Sequence, residues 1–515
     1  MAPRSIPDPA FPSPSIPPPG RLRLTGWLLT AFCSGGVITV LEMVGFRLYA
    51  PYFGYSIYVW GNMISVMLGA LAAGYALGGW LADRSRSDGP LYATILACAA
   101  YQAVLLFTVW SLLPRLATTG DLAGTVLATL IVFAPPMTGL ATVGPFLVRL
   151  IARIGNVGST AGSVYSLSTV GSIAGILAAT FFLIPTLGTR ATLLTACILS
   201  AMVGAVGAAG RRRTVLLALV PVAGLAWAPG PGRSADTVWV AESPYNLVQV
   251  RRRGSRVGLV LNHDSLIQSA RDEDRVWTYQ VFDDFALGPL LAPHRRVLVL
   301  GMGGGSSVFA TRLTAPESEI DAVEIDPRVV EAARRFFALP PEGDRFRIHT
   351  ADARAWVTRN PGTWDIVHVD LYQGGPFIPF YLTTVEFFRM VRTRMEPDGL
   401  LLMNVLDGSR EHELLFAVGA TLREVFPAVA VLTKKTGNHT LFASPGPRTA
   451  ETIRRRLMEV EGPEFLLPLV KGAAAAIVDL VPPASAPVFT DDLAPVEAIT
   501  RRGLLDTDSW TPPPE

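Results

Sequence analysis

The residues best suited to chemistry lie between positions 297 and 373 of the 515-residue chain. RRVLVLGMGGGSS puts an apolar run, Val297 to Leu300, directly before Gly301, Gly303 and Gly305. Such glycines let a backbone turn tightly and approach a ligand, and the helix that follows offers its N-terminal amides. A second apolar run, IDAVEID, ends in Glu324, about 20 residues past the loop, where a carboxylate can accept both hydroxyl hydrogens of a ribose. Asp352, in RIHTADARAW, follows a third run. Its carboxylate can accept from an adenine amino group or cap the next helix, and both readings stand. Asp370 closes a fourth run, WDIVHVDLYQGG, at the strand end where open α/β sheets bind ligands.

These side chains need a scaffold of alternating strands and helices. Strand, glycine loop, helix, strand and acidic residue in that order make a nucleotide-binding half-sheet. The helix Pro327 to Phe337 opens with proline in its first turn. Upstream, VWVAESPYNLVQV, a turn at Gly254–Ser255 and VGLVLN alternate in the strand period, and a helical stretch is expected from Asp272 to Leu287.

The N-terminal half is of another kind. Half of all residues are hydrophobic and only 17% are charged, against about 25% charged in typical soluble proteins. The depletion falls between Leu24 and Ala228. A bilayer span needs roughly 20 apolar residues, and spans are expected at about 24–46, 57–81, 91–113, 123–147, 160–186 and 191–209, with a shorter seventh at about 214–229. Ala70, Gly74 and Gly78, and Gly171 and Gly175, recur at four-residue spacing, which lets helices approach closely in lipid. Arg21, Arg23, Arg84, Arg86, Arg149, Arg153 and Arg211 to Arg213 fall on alternate loops, so the positive-inside rule puts the N-terminus in the cytoplasm. Seven full spans would carry the C-terminal half outside, whereas a nucleoside cofactor is normally cytosolic; the short, Pro221-containing seventh segment is therefore read as re-entrant or interfacial. Glu42 and Arg47, near the end of the first span, are either functional or paired with each other. The net charge of +2 gives no sign of a nucleic-acid partner. Cys33, Cys98 and Cys197 lack metal or redox spacing and read as core residues.

From about Glu242 to Val405 the chain resembles the spermidine/spermine synthases, the aminopropyltransferases. The motifs run in that family's order: HDSLIQSARDEDRVWTYQ, GMGGGSS, VEIDP, ADAR and WDIVHVD, with FTDDLAPVE near the C-terminus. LEMVGFRLYAPYFGYSIYVWG, GWLADR and GSVYSLSTVGSIAG resemble the multi-pass region fused to such domains in bacteria. The resemblance implies that Gln268 lies against the cofactor's thioether end, with Glu324 on the ribose, Asp352 and Ala353 at the adenine, and Asp370 as catalytic acid/base. Tyr279 would line the amine pocket together with Tyr372 and Gln373. The co-substrate implied is decarboxylated S-adenosylmethionine, or S-adenosylmethionine itself, with no metal. The chain departs from the pattern at three places. Gly304 stands where the family has an aspartate for the aminopropyl amine, LYQGG lacks the second aspartate after Asp370, and Phe285 replaces a histidine.

The expected architecture is an α-helical transmembrane bundle followed by an α/β Rossmann-like domain, of the S-adenosylmethionine-dependent methyltransferase type, with a small N-terminal β-strand region. Its parts are a disordered tail at 1–23, about seven membrane helices at 24–229, a β-strand region and gating helix at 237–290, the Rossmann-like domain at 291–500 and a tail at 501–515. The expected function is a multi-pass, membrane-bound transferase of polyamine biosynthesis, moving an aminopropyl group to a diamine such as putrescine, with the catalytic domain cytoplasmic. The expected partners are the lipid bilayer, a small amine and a second copy of the chain in a homodimer. The alternatives are a methyltransferase, and a non-catalytic membrane sensor or transporter that binds a nucleoside or polyamine.

Overall fold

A computed structural model describes residues 20–54, 56–85, 87–152, 156–208, 234–262, 266–434 and 437–505. The chain divides into two compact units. One comprises Met1–Gly45, Met63–Ser111 and Val126–Gly230; the other comprises Phe46–Asn62, Leu112–Thr125 and Pro231–Glu515.

The apolar half is helical throughout its described residues: α1 (Arg21–Phe53), α2 (Ile57–Arg84), α3 (Gly89–Ala117), α4 (Asp121–Val132), α5 (Ala134–Ala141), α6 (Val143–Ile151), α7 (Val157–Ala178) and α8 (Ile184–Gly207). Four helices are long and apolar enough to cross a membrane, and a pair bent by 46°, Leu122–Val132 with Ala134–Ile151, makes a fifth candidate. The longest of the four, Val157–Gly207, holds 51 residues. At about 1.5 Å per residue it would run roughly 75 Å, more than twice a hydrocarbon core of about 30 Å. Gly188 interrupts it with φ 80° and ψ 172°, which splits it into two spans near the expected break. The expected spans at 24–46, 57–81, 91–113, 123–147, 160–186 and 191–209 thus all fall on helices, and 214–229 lies outside the described residues.

Within the first unit the small residues sit at helix contacts. A Cβ on Gly171 of α7 would overlap the backbone carbonyl of Phe32 on α1, and one on Gly175 would overlap that of Gly36. Cβ atoms at Gly74 and Gly78 of α2 would likewise overlap Thr138 and Thr142. Arg23 forks onto Asp88 at 3.0 and 2.9 Å, Trp27 Nε1 donates to the same carboxylate, and Arg149 pairs with Asp83 at 3.1 Å.

The second unit carries two sheets. Strands β1 (Thr237–Glu242), β2 (Leu247–Arg253), β3 (Arg256–Leu261) and β4 (Ile267–Asp272) form an antiparallel sheet in sequence order. Gly254, at φ +59°, makes the tight β2–β3 turn. The helix expected over Asp272 to Leu287 is corrected here. Its first residue ends β4, paired with Arg256, and helical backbone is confined to a 3-10 turn, Val281–Leu287, with a short helix at Gly288–Leu291. The intervening residues Glu273, Asp274 and Arg275 are exposed and offer no apolar face to bury, and Tyr279 has φ +59°, outside the helical range.

The larger sheet comprises β5 (Arg296–Leu300), β6 (Glu319–Glu324), β7 (Phe346–Thr350), β8 (Trp364–Val369), β9 (Met395–Leu406), β10 (Ala428–Thr433), β11 (Asn438–Ser444) and β12 (Ile477–Asp479). Its order is β12-β10-β11-β9-β8-β5-β6-β7. β7 to β9 are parallel; β11, β10 and β12 are antiparallel to their neighbours. Apolar cores cover both faces, one around Phe387, Phe388 and Leu401, the other around Phe285, Val299 and Leu402. This is a Rossmann-like sheet, and its order reverses between β5 and β8. The smaller sheet packs Val250, Val257 and Leu259 against Val329, Ala332 and Phe337, which lie on or just after the helix Pro327–Phe336. At the chain's far end the helix Val496–Leu505 runs past residue 500, where a tail was expected. Arg47 donates to the carbonyls of Ser243 and, at 3.5 Å, Asn246, a partnership not foreseen in the Glu42–Arg47 reading.

Because Gly171 leaves no room for a side chain against Phe32, Gly171→Val should loosen the α1–α7 contact by about 1–3 kcal/mol. Thermal unfolding in detergent should show a lowered midpoint, while Gly162→Val, at a site with open space, should leave it unchanged.

Candidate functional site

The site forms where β5 and β8 separate. Leu300 pairs with Val369, the Asp370 N–H donates to the Leu300 carbonyl at 2.9 Å, and the chain then turns through Gly301. Gly301 has φ +83°, and a Cβ there would overlap the carbonyl of Asp370. Glycine is thus required twice over, by conformation and by space. Gly305, at φ +89°, caps the helix Ser306–Thr314.

Glu324 ends β6 beside this loop. Its Oε2 accepts the Gly303 N–H at 2.9 Å and its Oε1 accepts the Asp326 N–H at 3.0 Å. Both oxygens are thereby aimed, and each keeps a lone pair for a ligand hydroxyl. The group is half-buried, and loss of solvation pushes its carboxyl up to about 7 despite those two amides. Asp326 is fully buried. It caps the following helix at Arg328 and accepts from Ser243 Oγ (2.6 Å) and Asn246 Nδ2 (2.9 Å). The smaller sheet is thereby tied to the end of β6.

Asp370 is also half-buried. Burial pushes its carboxyl up to about 6, opposed by Asn404 Nδ2, which donates to Oδ1 at 3.0 Å. A base of that strength is well matched to neutral pH. Asp352 takes the capping geometry of its two expected ones, accepting the Ala355 N–H at 2.8 Å at the start of the helix Ala353–Arg359, and its Oδ2 also accepts the Tyr381 hydroxyl at 3.0 Å, a partner not foreseen. Ala353, buried, begins that helix.

Gln268, expected at the cofactor's thioether end, and the residues expected on the amine side are arranged differently. Gln268 runs along β4, with its carbonyl near Gly303. Tyr279 is 74% exposed. Gln373 is exposed and its N–H donates to the Phe377 carbonyl. The Tyr372 hydroxyl is engaged with β9, donating to the Asn404 carbonyl at 3.3 Å and accepting the Leu406 N–H at 2.7 Å. The Gly304 N–H donates to Ser269 Oγ, and a Cβ at 304 would lie 2.8 Å from Ser269 Cβ and 2.9 Å from the Phe337 ring. Phe285 is fully buried against His368, ring centroids 4.6 Å apart; burial pushes His368 down to about 3, so it is neutral. Beside them Asp284, also fully buried, pairs with Lys434 at 2.6 Å and accepts from Thr440 at 2.7 Å.

Sequence reasoning missed Asn404, Ser269, Tyr381 and Arg354. Each sits in an ordinary strand, helix or loop, and only packing brings it to the site.

Residues 287–436 match the spermine/spermidine synthase domain. The chain is 30% identical over 283 residues to a probable polyamine aminopropyl transferase of Bifidobacterium longum, covering 51% of this chain and 62% of that one. It is 28% identical over 478 residues to polyamine aminopropyltransferase 2 of Streptomyces coelicolor, covering 85% and 83% respectively. A probable spermidine synthase from Corynebacterium glutamicum aligns with TM-score 0.39 and 20% identity, over 51% of this chain and 98% of that one. The chain spans less than two thirds of the first curated relatives it matches, at 62%, 43% and 65% of their lengths.

Since Ser269 and Phe337 occupy the space beside Gly304, Gly304→Asp should destabilise the domain by about 1–3 kcal/mol through overpacking. Denaturant unfolding would register this as a lowered midpoint, with no gain in affinity for an amine.

Proposed function

Residues 287–436 belong to the spermine/spermidine synthase domain family, and from that premise we propose that the chain is a membrane-bound aminopropyltransferase. The observation that carries this reading is the pairing of two differently prepared carboxylates at one strand edge: Glu324 with both oxygens aimed by backbone amides, and Asp370 with a raised proton affinity and one oxygen held by Asn404. Glu324 suits a ribose diol, and Asp352 suits an adenine amino group. The co-substrate is decarboxylated S-adenosylmethionine and the acceptor a diamine such as putrescine.

In this mechanism Asp370 takes a proton from the acceptor ammonium. The freed nitrogen lone pair attacks the methylene carbon bonded to the sulfonium. The C–N bond forms as the C–S bond breaks, and its electron pair stays on sulfur as the neutral thioether of methylthioadenosine. Asn404 fixes one oxygen of Asp370 so that the other meets the nitrogen, a positional gain that general-base catalysis depends on.

The apolar half anchors the enzyme in a lipid bilayer. With Val157–Gly207 counted as two spans and the bent pair as one, six crossings among the described residues bring the chain back to its starting side. The alternate-loop arginines make that side cytoplasmic. A reporter fused after Glu515 should be active only in its cytosolic form; activity of a periplasmic reporter would overturn this orientation.

The protein in detergent, given putrescine and the decarboxylated co-substrate, should release methylthioadenosine. Asp370→Asn should lower kcat by about 10²–10⁴-fold. Below about pH 7 Glu324 takes up a proton and loses acceptor capacity toward the ribose hydroxyls, and below about pH 6 Asp370 takes up a proton and can no longer accept one from the ammonium. Turnover should therefore fall as pH drops through this window and level off above it. Glu324→Gln should remove the ionisation near pH 7 from nucleoside binding. Release of S-adenosylhomocysteine from S-adenosylmethionine would favour methyl transfer instead. Polyamine flux in proteoliposomes unaffected by Asp370→Asn would favour a transporter.

A further inference from the structure

Tyr381 lies in the segment between β8 and the helix Val385–Arg392 and touches one residue given a role above, Asp352. Its hydroxyl donates to Asp352 Oδ2 at 3.0 Å, while Oδ1 accepts the Ala355 N–H at 2.8 Å. The last torsion of an aspartate side chain is broad and soft, so one hydrogen bond leaves the carboxylate free to swing. Two, on opposite oxygens, hold it in one orientation. Tyr381 is itself held: Arg354 Nη1 donates to its carbonyl at 2.9 Å, and the guanidinium forks onto Asp491 through Nη1 at 2.8 Å and Nη2 at 2.5 Å. Asp491 also accepts from Thr384 Oγ1 at 2.7 Å. Burial and the neighbouring carboxylate push the Tyr381 phenol up to about 12, so it remains a donor throughout the physiological range.

We infer that Tyr381 is a specificity-determining positioning residue for the nucleobase: its hydroxyl locks Asp352 as a fixed hydrogen-bond acceptor, and the Arg354–Asp491 clasp holds the tyrosine in place. This rests on the nucleoside reading of the site proposed above. An oriented ionised carboxylate offers only lone pairs. It accepts from the amino group of a 6-aminopurine and is opposed by the carbonyl of a 6-oxopurine, which leaves an acceptor facing an acceptor. A carboxylate free to rotate discriminates less, because it can turn away from the wrong base.

The test is calorimetric binding of methylthioadenosine and its 6-oxo counterpart, methylthioinosine, to the full chain in detergent. The unaltered protein should prefer the amino compound by at least about tenfold, the worth of one well-placed hydrogen bond to a charged group. Tyr381→Phe should weaken methylthioadenosine by about tenfold and leave methylthioinosine nearly unchanged, so that the ratio collapses toward that of Asp352→Asn. The double variant should lose nothing further, since both changes remove one interaction. Arg354→Lys, which keeps the hydroxyl but loosens the clasp, should shift the ratio the same way by less. If Tyr381→Phe weakens both compounds equally, its role is structural and the inference falls. If the unaltered protein binds neither compound, the nucleoside reading itself is overturned and this inference with it.

Discussion

The Glu324 carboxylate accepts an N–H from Gly303 on one oxygen and from Asp326 on the other, and much of the second unit is organised around that double bond. The first amide draws the glycine loop onto the end of β6. The second belongs to a residue that caps a helix and bonds Ser243 and Asn246 of the smaller sheet. Loop, parallel sheet and, through Asp326, antiparallel sheet are thereby referenced to one half-buried acidic group. Burying a carboxylate is expensive unless its lone pairs are met. Here they are met in part, which leaves Glu324 with a raised proton affinity and with acceptor capacity in reserve.

The site is asymmetric in its chemistry. On the nucleoside side, carboxylates are aimed by backbone amides and a tyrosine hydroxyl. On the amine side, the positions that could carry negative charge are filled otherwise. Gly304 is packed under Ser269 and Phe337, the Tyr372 hydroxyl is spent on β9, and Asp284 is neutralised by Lys434. Asp370 stands at the boundary, and Asn404 ties it to β9. Under the proposed function, the fewer free carboxylates an amine side offers, the less strongly it holds cations, and the more selection of an acceptor falls on shape.

The apolar half follows a simpler rule. In a bilayer, with no water to drive helices together, close backbone approach is what would hold them. Gly171 and Gly175 meet Phe32 and Gly36 at distances no larger residue permits. The four-residue spacing that announces this is visible in the sequence, but the identity of the partner helix is not.

Period and order were legible in the amino-acid sequence because they are local. Apolar runs of bilayer length, the strand–glycine–helix–strand succession, Glu324 at a strand end and Asp370 after another follow from chain neighbours alone. The Asp272–Leu287 stretch misled because its first residue is drawn into β4 by pairing with β3, and the turn that follows, with Tyr279 at φ +59°, confines helical backbone to Val281–Leu287. Nothing in the sequence marked Tyr381, Arg354 and Asp491 as a clasp on Asp352, for they are separated by up to 137 residues. Nor did it mark Asn404 as the partner of Asp370, 34 residues away. The sequence by itself determined which groups with reactive potential stand at strand ends. Tertiary structure alone decided how each is oriented and how much solvent it keeps, because hydrogen-bond direction and burial depend on residues that meet only when the sheets close.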